Sequence, residues 1–324
     1  MKKNTKIVLL TACALILTGA VICACAFAAV DFDIHRLSTP EDSTREWHLE
    51  AVPSEGIERI RVNASVDNIR VCRSGTDEII VTYYTSQYGS YELVNENVEL
   101  SLEYVPLKDR KWYEYLTVDL SGIHSDKNSV EISIPLGYDG EVRIEATTGD
   151  MELVHLMLDG TLSSKSTTGS MMLYDVWAAS VEASVTTGEM ELESVVTSGD
   201  ISVSCKTGGV RLENVHSEGA VTAHGTTGDI DMYIVEAESI TAECTTGSIN
   251  GYSVSSGNTA LKTTTGDINV NMRGGAEDYT VSANVTVGDA EVDGADRANG
   301  EKQVTAVATT GSIHIGFLLG FTGK

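Results

Sequence analysis

The sequence repeats itself at a nearly constant interval from Ala146 onward, and this periodicity restricts the fold more than any other feature. Each repeat contains a glycine that usually follows two threonines, as in Thr147-Thr148-Gly149-Asp150. Successive repeat glycines are 19 to 23 residues apart: Gly149, Gly169, Gly188, Gly208, Gly228, Gly247, Gly266, Gly288 and Gly311. Sequence periods of this length are typical of solenoids and other repeat arrays.

The pattern within each repeat indicates which kind of array it is. Apolar residues stand two and four positions after most repeat glycines and flank a polar residue, as in Met190-Glu191-Leu192. Such alternation is typical of a strand with one buried face. A second alternating series precedes the glycine, as at Val181 and Ala183, and a further apolar position seven residues after it predicts a short third segment. The sequence therefore predicts an all-β fold, a parallel β-solenoid of about nine coils of 19–23 residues.

The repeat glycines should supply the positive φ that a sharp bend requires, and the threonines before them should form a ladder of hydroxyl groups. Cys205 and Cys244 each lie three residues before a repeat glycine, two repeats apart. Stacked coils would separate them by about 10 Å, which is too far for a disulfide bond. We therefore expect buried, reduced thiols.

The first thirty residues resemble a membrane-targeting segment. Lys2, Lys3 and Lys6 precede an uncharged run from Ile7 to Val30. A helix of this length would span a bilayer, and the lysines before it would place the N-terminus in the cytoplasm and the rest of the chain outside. We therefore expect a single-pass cell-membrane protein. A cleaved signal peptide and a lipoprotein signal at Cys23 or Cys25 are the alternatives, and both would also export the chain.

The rest of the chain divides by its composition. Residues 31–56 contain turn formers and charges and are interpreted as a linker. Residues 57–145 alternate less regularly and are expected to form irregular β coils and an N-terminal cap. Residues 146–324 form the repeat solenoid, in which the tail Ile313–Phe321 is expected to cap the last coil.

The strand Val130-Glu131-Ile132-Ser133-Ile134-Pro135, followed by serial Thr-Thr-Gly-Asp units after an N-terminal anchor, resembles the bacterial putative-adhesin family of β-strand-repeat, membrane-anchored proteins. That family is a domain group of unknown function. The resemblance covers roughly residues 57–316. It implies a surface β-solenoid with an adhesive or envelope role, and it transfers no catalytic residues.

Charge and motif content exclude several function classes. The formal net charge of −25 disfavours nucleic-acid binding, because such a surface repels phosphate. We find no catalytic, cofactor-binding or metal-binding constellation, and we predict that the chain is not an enzyme. Acidic residues after several repeat glycines, such as Asp150 and Asp229, could bind calcium weakly, but aspartate beside glycine is first of all a turn former.

An aromatic cluster between residues 83 and 115 is the candidate partner-binding surface, with a structural cap as the alternative interpretation. Its members are Tyr83, Tyr84, Tyr88, Tyr91, Tyr104, Trp112, Tyr113 and Tyr115. The sequence favours a non-enzymatic surface module, an adhesin or an envelope structural protein, that binds a glycan, matrix or envelope protein. The alternative is the ectodomain of an envelope-stress sensing or signalling accessory protein.

Overall fold

The computed structural model describes residues 45–86, 89–106, 129–294 and 300–318. The expected membrane segment and its cleavage and lipidation alternatives lie outside these ranges. Within them, no helix has the length and apolar character that crossing a bilayer requires.

The described residues form strands β1 to β25 and a single 3₁₀ turn at Ala276–Asp278. The first nine strands are β1 (Glu46–Pro53), β2 (Arg59–Ala64), β3 (Asn68–Arg73), β4 (Glu78–Thr85), β5 (Gly89–Glu96), β6 (Glu99–Pro106), β7 (Ser129–Ile134), β8 (Glu141–Thr148) and β9 (Met151–Met157). The central strands are β10 (Thr161–Thr168), β11 (Met171–Ala178), β12 (Ser180–Thr187), β13 (Met190–Thr197), β14 (Ile201–Thr207), β15 (Val210–Ser217), β16 (Ala220–Thr227) and β17 (Ile230–Glu236). The last strands are β18 (Ser239–Thr246), β19 (Ile249–Ser255), β20 (Asn258–Thr265), β21 (Ile268–Arg273), β22 (Tyr279–Val287), β23 (Ala290–Val292), β24 (Lys302–Thr310) and β25 (Ile313–Leu318).

The predicted parallel β-solenoid is confirmed. Each regular coil contributes one strand before its repeat glycine and one after it, and equivalent strands of successive coils pair in parallel. One ladder runs β8, β10, β12, β14, β16, β18, β20, and the other runs β9, β11, β13, β15, β17, β19, β21. These seven consecutive coils follow the order of the chain, and the inward side chains of both ladders form one apolar core.

At both ends of the ladders the spatial order of the coils departs from the chain order. The β2/β3 coil lies between the later β6/β7 coil and the β8/β9 coil. Likewise, the β24/β25 coil lies between the β20/β21 coil and the earlier β22/β23 coil. The expectation that the tail caps the last coil is therefore wrong for Ile313–Leu318, because β25 is inserted between β21 and β23. The terminal coil is formed by β22 and β23.

The repeat glycines meet the prediction made for them. All nine have a positive φ, between 126° and 144°. They also stack closely, since a Cβ atom on Gly169 would lie 2.1 Å from the carbonyl oxygen of Gly149 in the preceding coil. Any larger residue would therefore clash with the neighbouring backbone as well as straining its own.

A second sharp bend, six residues after the repeat glycine, creates the predicted third segment. Residues at this place adopt a left-handed conformation, with φ between 53° and 59°: His155, Asp175, Ser194, Asn214, Ile234 and Ser253. The residue that follows each of them is apolar and buried: Leu156, Val176, Val195, Val215, Val235 and Val254. The bend therefore returns the chain to the core before the coil ends.

The thiols of the described residues are free, as expected for Cys205 and Cys244, which are buried. The Cys205 thiol donates a hydrogen bond to the carbonyl oxygen of Gly188 at 3.3 Å, and Cys244 makes the same contact with Gly228 at 3.1 Å. Burial raises the pKa of both thiols. They remain protonated at neutral pH and act as small core residues that satisfy a glycine carbonyl.

The described residues belong mainly to one compact unit, which comprises 47–85, 90–105 and 129–324. Of the other unit, 1–46, 86–89 and 106–128, the structure describes only a few residues, among which Ser86 donates a hydrogen bond from its hydroxyl to the Gly89 carbonyl. The interpretation of 31–56 as a linker differs from the structure over β1, a strand that pairs with β4.

Candidate functional site

The predicted aromatic cluster divides into rings that are buried or partly buried and residues outside the described ranges. Tyr84, Tyr91 and Tyr104 form a chain of edge-to-face contacts with Trp47, with ring centroids 5.3 to 5.5 Å apart. Trp47 lies on β1 and was not among the predicted residues. We call these four residues the aromatic cap. Tyr88, Trp112, Tyr113 and Tyr115 lie outside the described residues, so their role stays a prediction.

A buried carboxylate organises the aromatic cap. Asp67 is only 3% exposed, and its Oδ2 accepts hydrogen bonds from the hydroxyls of Tyr84 at 2.8 Å and Tyr91 at 2.9 Å. Asp67 occupies the place of a repeat glycine in the β2/β3 coil, since a Cβ on Gly149 would meet its carbonyl oxygen. The cap is therefore joined to the bend that begins the column of repeat glycines.

Tyr83 also packs inside the fold. It is buried, its ring stacks on His48, and its hydroxyl donates to Glu50. Burial and the Glu50 carboxylate raise its pKa to about 12. Because the rings of Tyr83, Tyr84 and Tyr91 are buried, they have little surface to offer a ligand. The partner-binding role of the cluster stays a prediction.

The acidic residues after the repeat glycines have a backbone role. The Oδ1 atom of Asp150 accepts a hydrogen bond from the N–H of Ser170 at 2.7 Å, one coil further on. Asp229 and Asp267 make the same contact with Ser248 and Ser312, also at 2.7 Å. These carboxylates link successive bends, as Asn68 does for Asp150 at 3.0 Å. Their role as turn formers therefore accounts for these acidic residues.

The strands that follow the repeat glycines expose large side chains that the sequence analysis did not select. The first group lies on β9 and β11, where Trp177 is 49% exposed and is the register neighbour of exposed Met157. Tyr174, on the other side of the bend at Asp175, is also exposed and makes an edge-to-face contact with His155 at 5.4 Å. His155 Nδ1 lies 2.9 Å from Asp175 Oδ2, so a polar pair borders the rings. We call Met157, Tyr174 and Trp177, with His155 and Asp175, the first aromatic patch.

The second group lies on β17 and β19. Tyr233 and Tyr252 are register neighbours, 47% and 45% exposed, with nearly parallel rings 5.1 Å apart. We call this pair the second aromatic patch. Three strand steps separate β11 from β17, which corresponds to about 14 Å. The strands between carry charged residues, including Arg211, which pairs with Glu213 at 2.8 Å.

The two ladders differ in what they present to solvent. The strands β8, β10, β12, β14, β16, β18 and β20 contain no phenylalanine, tyrosine or tryptophan, and their outward positions carry mainly serine, threonine and charged residues. The exposed rings of the regular coils therefore lie on one ladder alone. The sequence did contain a signal for these rings. Five and eight residues after a repeat glycine, the alternation predicts outward, polar side chains, and large aromatic residues at these positions are exceptions to it: Tyr174, Trp177, Tyr233 and Tyr252.

No described group resembles a catalytic centre. A surface groove of about 420 Å³ lies beside Tyr138, and the acids that line it, such as Glu58 and Asp139, are exposed. Neighbouring arginines lower the pKa of Glu145 and of Glu236, the opposite of what a general acid requires. His314 lies 3.7 Å from Glu291 and 3.8 Å from Asp293, an exposed cluster whose two contacts involve different ring nitrogens.

The Toastrack DUF4097 family matches residues 57–323, which is most of the chain and includes the early coils, the regular coils and the inserted coil. The chain belongs to the Toastrack DUF4097 family. The resemblance to a β-strand-repeat family of unknown function, stated from the Val130–Pro135 strand and the repeats, is thereby confirmed, and the membrane anchor stays a prediction. No curated protein matches this Toastrack chain.

Solved structures similar to this Toastrack chain carry adhesion-related descriptions. A "putative adhesin" from Parabacteroides merdae is 12% identical, with 86% of this chain and 98% of that one covered at a TM-score of 0.46. A "putative adhesin" from Bacteroides fragilis is 15% identical, with 84% and 97% covered at a TM-score of 0.33. A "putative cell adhesion protein" from Clostridium sporogenes is 12% identical, with 85% and 100% covered at a TM-score of 0.28.

Proposed function

We propose that this Toastrack chain is a non-enzymatic adhesion module of the cell surface, whose contact surface is formed by the two aromatic patches. The observation that carries the proposal is the restriction of exposed rings to one ladder of the regular coils. The chain contains 47 acidic residues, and most outward strand positions carry polar side chains. Large exposed rings that are grouped on one ladder therefore mark a candidate interaction surface.

The chemistry of the patches favours a glycan. Tyrosine and tryptophan offer an apolar ring with a polar edge, and they lose little conformational freedom on binding because they have only two side-chain torsions. In the first patch, the His155–Asp175 pair lies beside Tyr174 and supplies hydrogen-bonding groups next to the rings. Sugar rings present apolar C–H faces together with hydroxyl groups, so both elements of the patch would be used.

The separation of the patches favours an extended ligand. A site on β9/β11 and another on β17/β19 would contact two places on one polysaccharide about 14 Å apart. Two weak contacts on one chain raise the overall affinity because the second becomes intramolecular. The parallel ladder between them fixes the spacing.

Binding of the full chain to glycan and matrix-protein arrays and to whole cells tests the proposal. We expect saturable glycan binding that weakens at least about tenfold when Tyr174→Ala and Trp177→Ala are combined. Trp47→Ala is the matched control, because Trp47 is a similarly exposed ring that lies on β1 and belongs to neither aromatic patch. Glycan binding that is unchanged in the double variant, or that is lost equally in the control, would contradict the proposal.

A further inference from the structure

The terminal coil leaves apolar side chains partly open to solvent. Val281, Ala283 and Val285 on β22 point toward the core but are only partly buried. Their register partners on β24 are Val304, Ala306 and Ala308, which are all at most 1% exposed. The difference arises because β24 is covered by β22, whereas no further coil within the described residues covers β22.

The backbone of β22 also presents unpaired groups at this end. Val181, seven residues before its repeat glycine, donates its N–H to the carbonyl of Asp200 in the next coil at 3.0 Å. Val281 occupies the same place before Gly288. Because alternate residues of a strand direct their N–H and C=O groups to the same side, Val281, Ala283 and Val285 direct theirs away from β24. In the described part of the chain, nothing pairs with these groups.

This edge lacks the usual protection. Edge strands normally carry charges, proline or a bulge that prevents pairing with another chain. Strand β22, Tyr279–Val287, has none of these residues, although 21% of the whole chain is charged. A nine-residue, uncharged strand with high β-propensity is therefore available for strand addition.

The sequence of β22 is nearly palindromic about Ala283, and this symmetry identifies the partner. Thr280 matches Thr286, Val281 matches Val285, and the polar residue Ser282 matches Asn284. A two-fold axis through Ala283 would therefore place like residues opposite each other in an antiparallel pair. We propose that β22 pairs with β22 of a second copy of this chain, to form a two-fold symmetric dimer.

The proposed pairing would provide partners for the open backbone groups of β22 and would cover its partly buried apolar side chains. The outward N–H and C=O groups of Val281, Ala283 and Val285 would form the hydrogen-bonded pairs of an antiparallel ladder. An axis perpendicular to the strand pair keeps the core-facing side chains of both copies on the same side, so the partly open valines would cover one another. One strand pair gives a small interface, so we expect a dimer of micromolar stability. Each copy has a formal charge of −25, and added salt should therefore strengthen the dimer.

Sedimentation of the full chain in mild detergent, at concentrations from about 1 to 100 μM, tests the dimer. We expect a monomer–dimer equilibrium that is weakened at least about tenfold by combined Ser282→Lys and Asn284→Lys, since these residues face each other across the pair. The matched control is Thr305→Lys with Val307→Lys, at the same outward positions on β24. A full chain that is monomeric throughout, or a dimer that is unaffected by the β22 variant, would overturn the proposal.

Disulfide trapping tests the register independently. Under mild oxidation, Ala283→Cys should give a covalent dimer, because the two Cα atoms would lie about 5.5 Å apart in a hydrogen-bonded pair. Asn284→Cys should not, since the two introduced sulfurs would be displaced by two residues along the strands. Equal trapping of both variants would contradict the two-fold register. A monomeric full chain that dimerises only after removal of residues 319–324 would show that its own tail occupies this edge, and would also overturn the proposal.

Discussion

The carboxylate of Asp150 accepts a hydrogen bond from the backbone N–H of Ser170 at 2.7 Å, so the two residues join one coil to the next at their bends. Asp150→Ala removes the acceptor and leaves this N–H to solvent. We expect a loss of about 1 kcal/mol in the free energy of unfolding, a modest value because the site is exposed. Asp150→Asn should retain most of the stability, because Asn68 performs the same role one coil earlier. Denaturant unfolding measures both variants, and equal losses would show that charge, not the hydrogen bond, is what matters.

Two hydroxyls at equivalent places, three residues before a repeat glycine, should respond oppositely to removal. Thr263 donates to the Gly247 carbonyl at 3.0 Å, whereas the buried Ser166 hydroxyl has no partner among the described residues. We expect Thr263→Val to lower the free energy of unfolding by about 1 kcal/mol and Ser166→Ala to leave it unchanged or raise it. Thermal unfolding of both variants checks this contrast. A clear destabilisation by Ser166→Ala would indicate a hydrogen bond that the described residues do not provide.

Ile234 is a β-branched residue in a left-handed conformation, with φ of 57°. This conformation costs such a residue roughly 1–2 kcal/mol, whereas asparagine tolerates it. Ile234→Asn should therefore raise the free energy of unfolding by about 1 kcal/mol. Asn214→Ile, at the equivalent bend with φ of 53°, should lower it by a similar amount. A destabilised Ile234→Asn would mean that the apolar contacts of the isoleucine outweigh its backbone strain.

The tyrosines of the N-terminal region should make the fold sensitive to alkali. Burial raises the pKa of Tyr83 to about 12, and burial with the nearby Asp67 carboxylate raises the pKa of Tyr91 further. In the unfolded chain a tyrosine ionises near pH 10. Because the folded pKa values are higher, the contribution of both tyrosines to stability is fully present below about pH 10, and that of Tyr83 is lost as the pH rises through about 12.

Unfolding free energies measured between about pH 8 and 12 check this dependence. Tyr91→Phe should start from lower stability, since Asp67 loses a donor, but it should show a shallower decline above about pH 10. An identical slope in the variant would show that Tyr91 does not contribute to the alkaline transition.

The sequence determines the regular coils well because two signals coincide there. A glycine such as Gly169 at a fixed interval marks the bend, and alternation such as Met171-Met172-Leu173 assigns the buried face. The left-handed bend could not be predicted because its six residues, from His155 to Ser253, share no side-chain chemistry. They are held in place by the buried residue that follows each of them.

The order of the terminal coils could not be predicted from the same signals. Strands β22 and β24 carry the same alternation, and either would pair with β20 on pattern alone. The longer spacings around Gly288 and Gly311 were visible, and they correspond to the connection that crosses back to the inserted coil.

The composition of the aromatic cluster does not distinguish a cap from a ligand surface. The reason is that the buried carboxylate of Asp67, which accepts hydrogen bonds from Tyr84 and Tyr91, stands at a position with no sequence signature.

The insertion of β24 and β25 between earlier coils has a mechanical consequence. In a solenoid whose last coil is also last in the chain, tension on the C-terminal end peels one strand edge at a time. Here the C-terminal strands are held on both edges, with β24 between β20 and β22. A force applied at that end must break two ladders together, so it acts in shear along both neighbours. Resistance to unravelling from this end therefore follows from strand order alone.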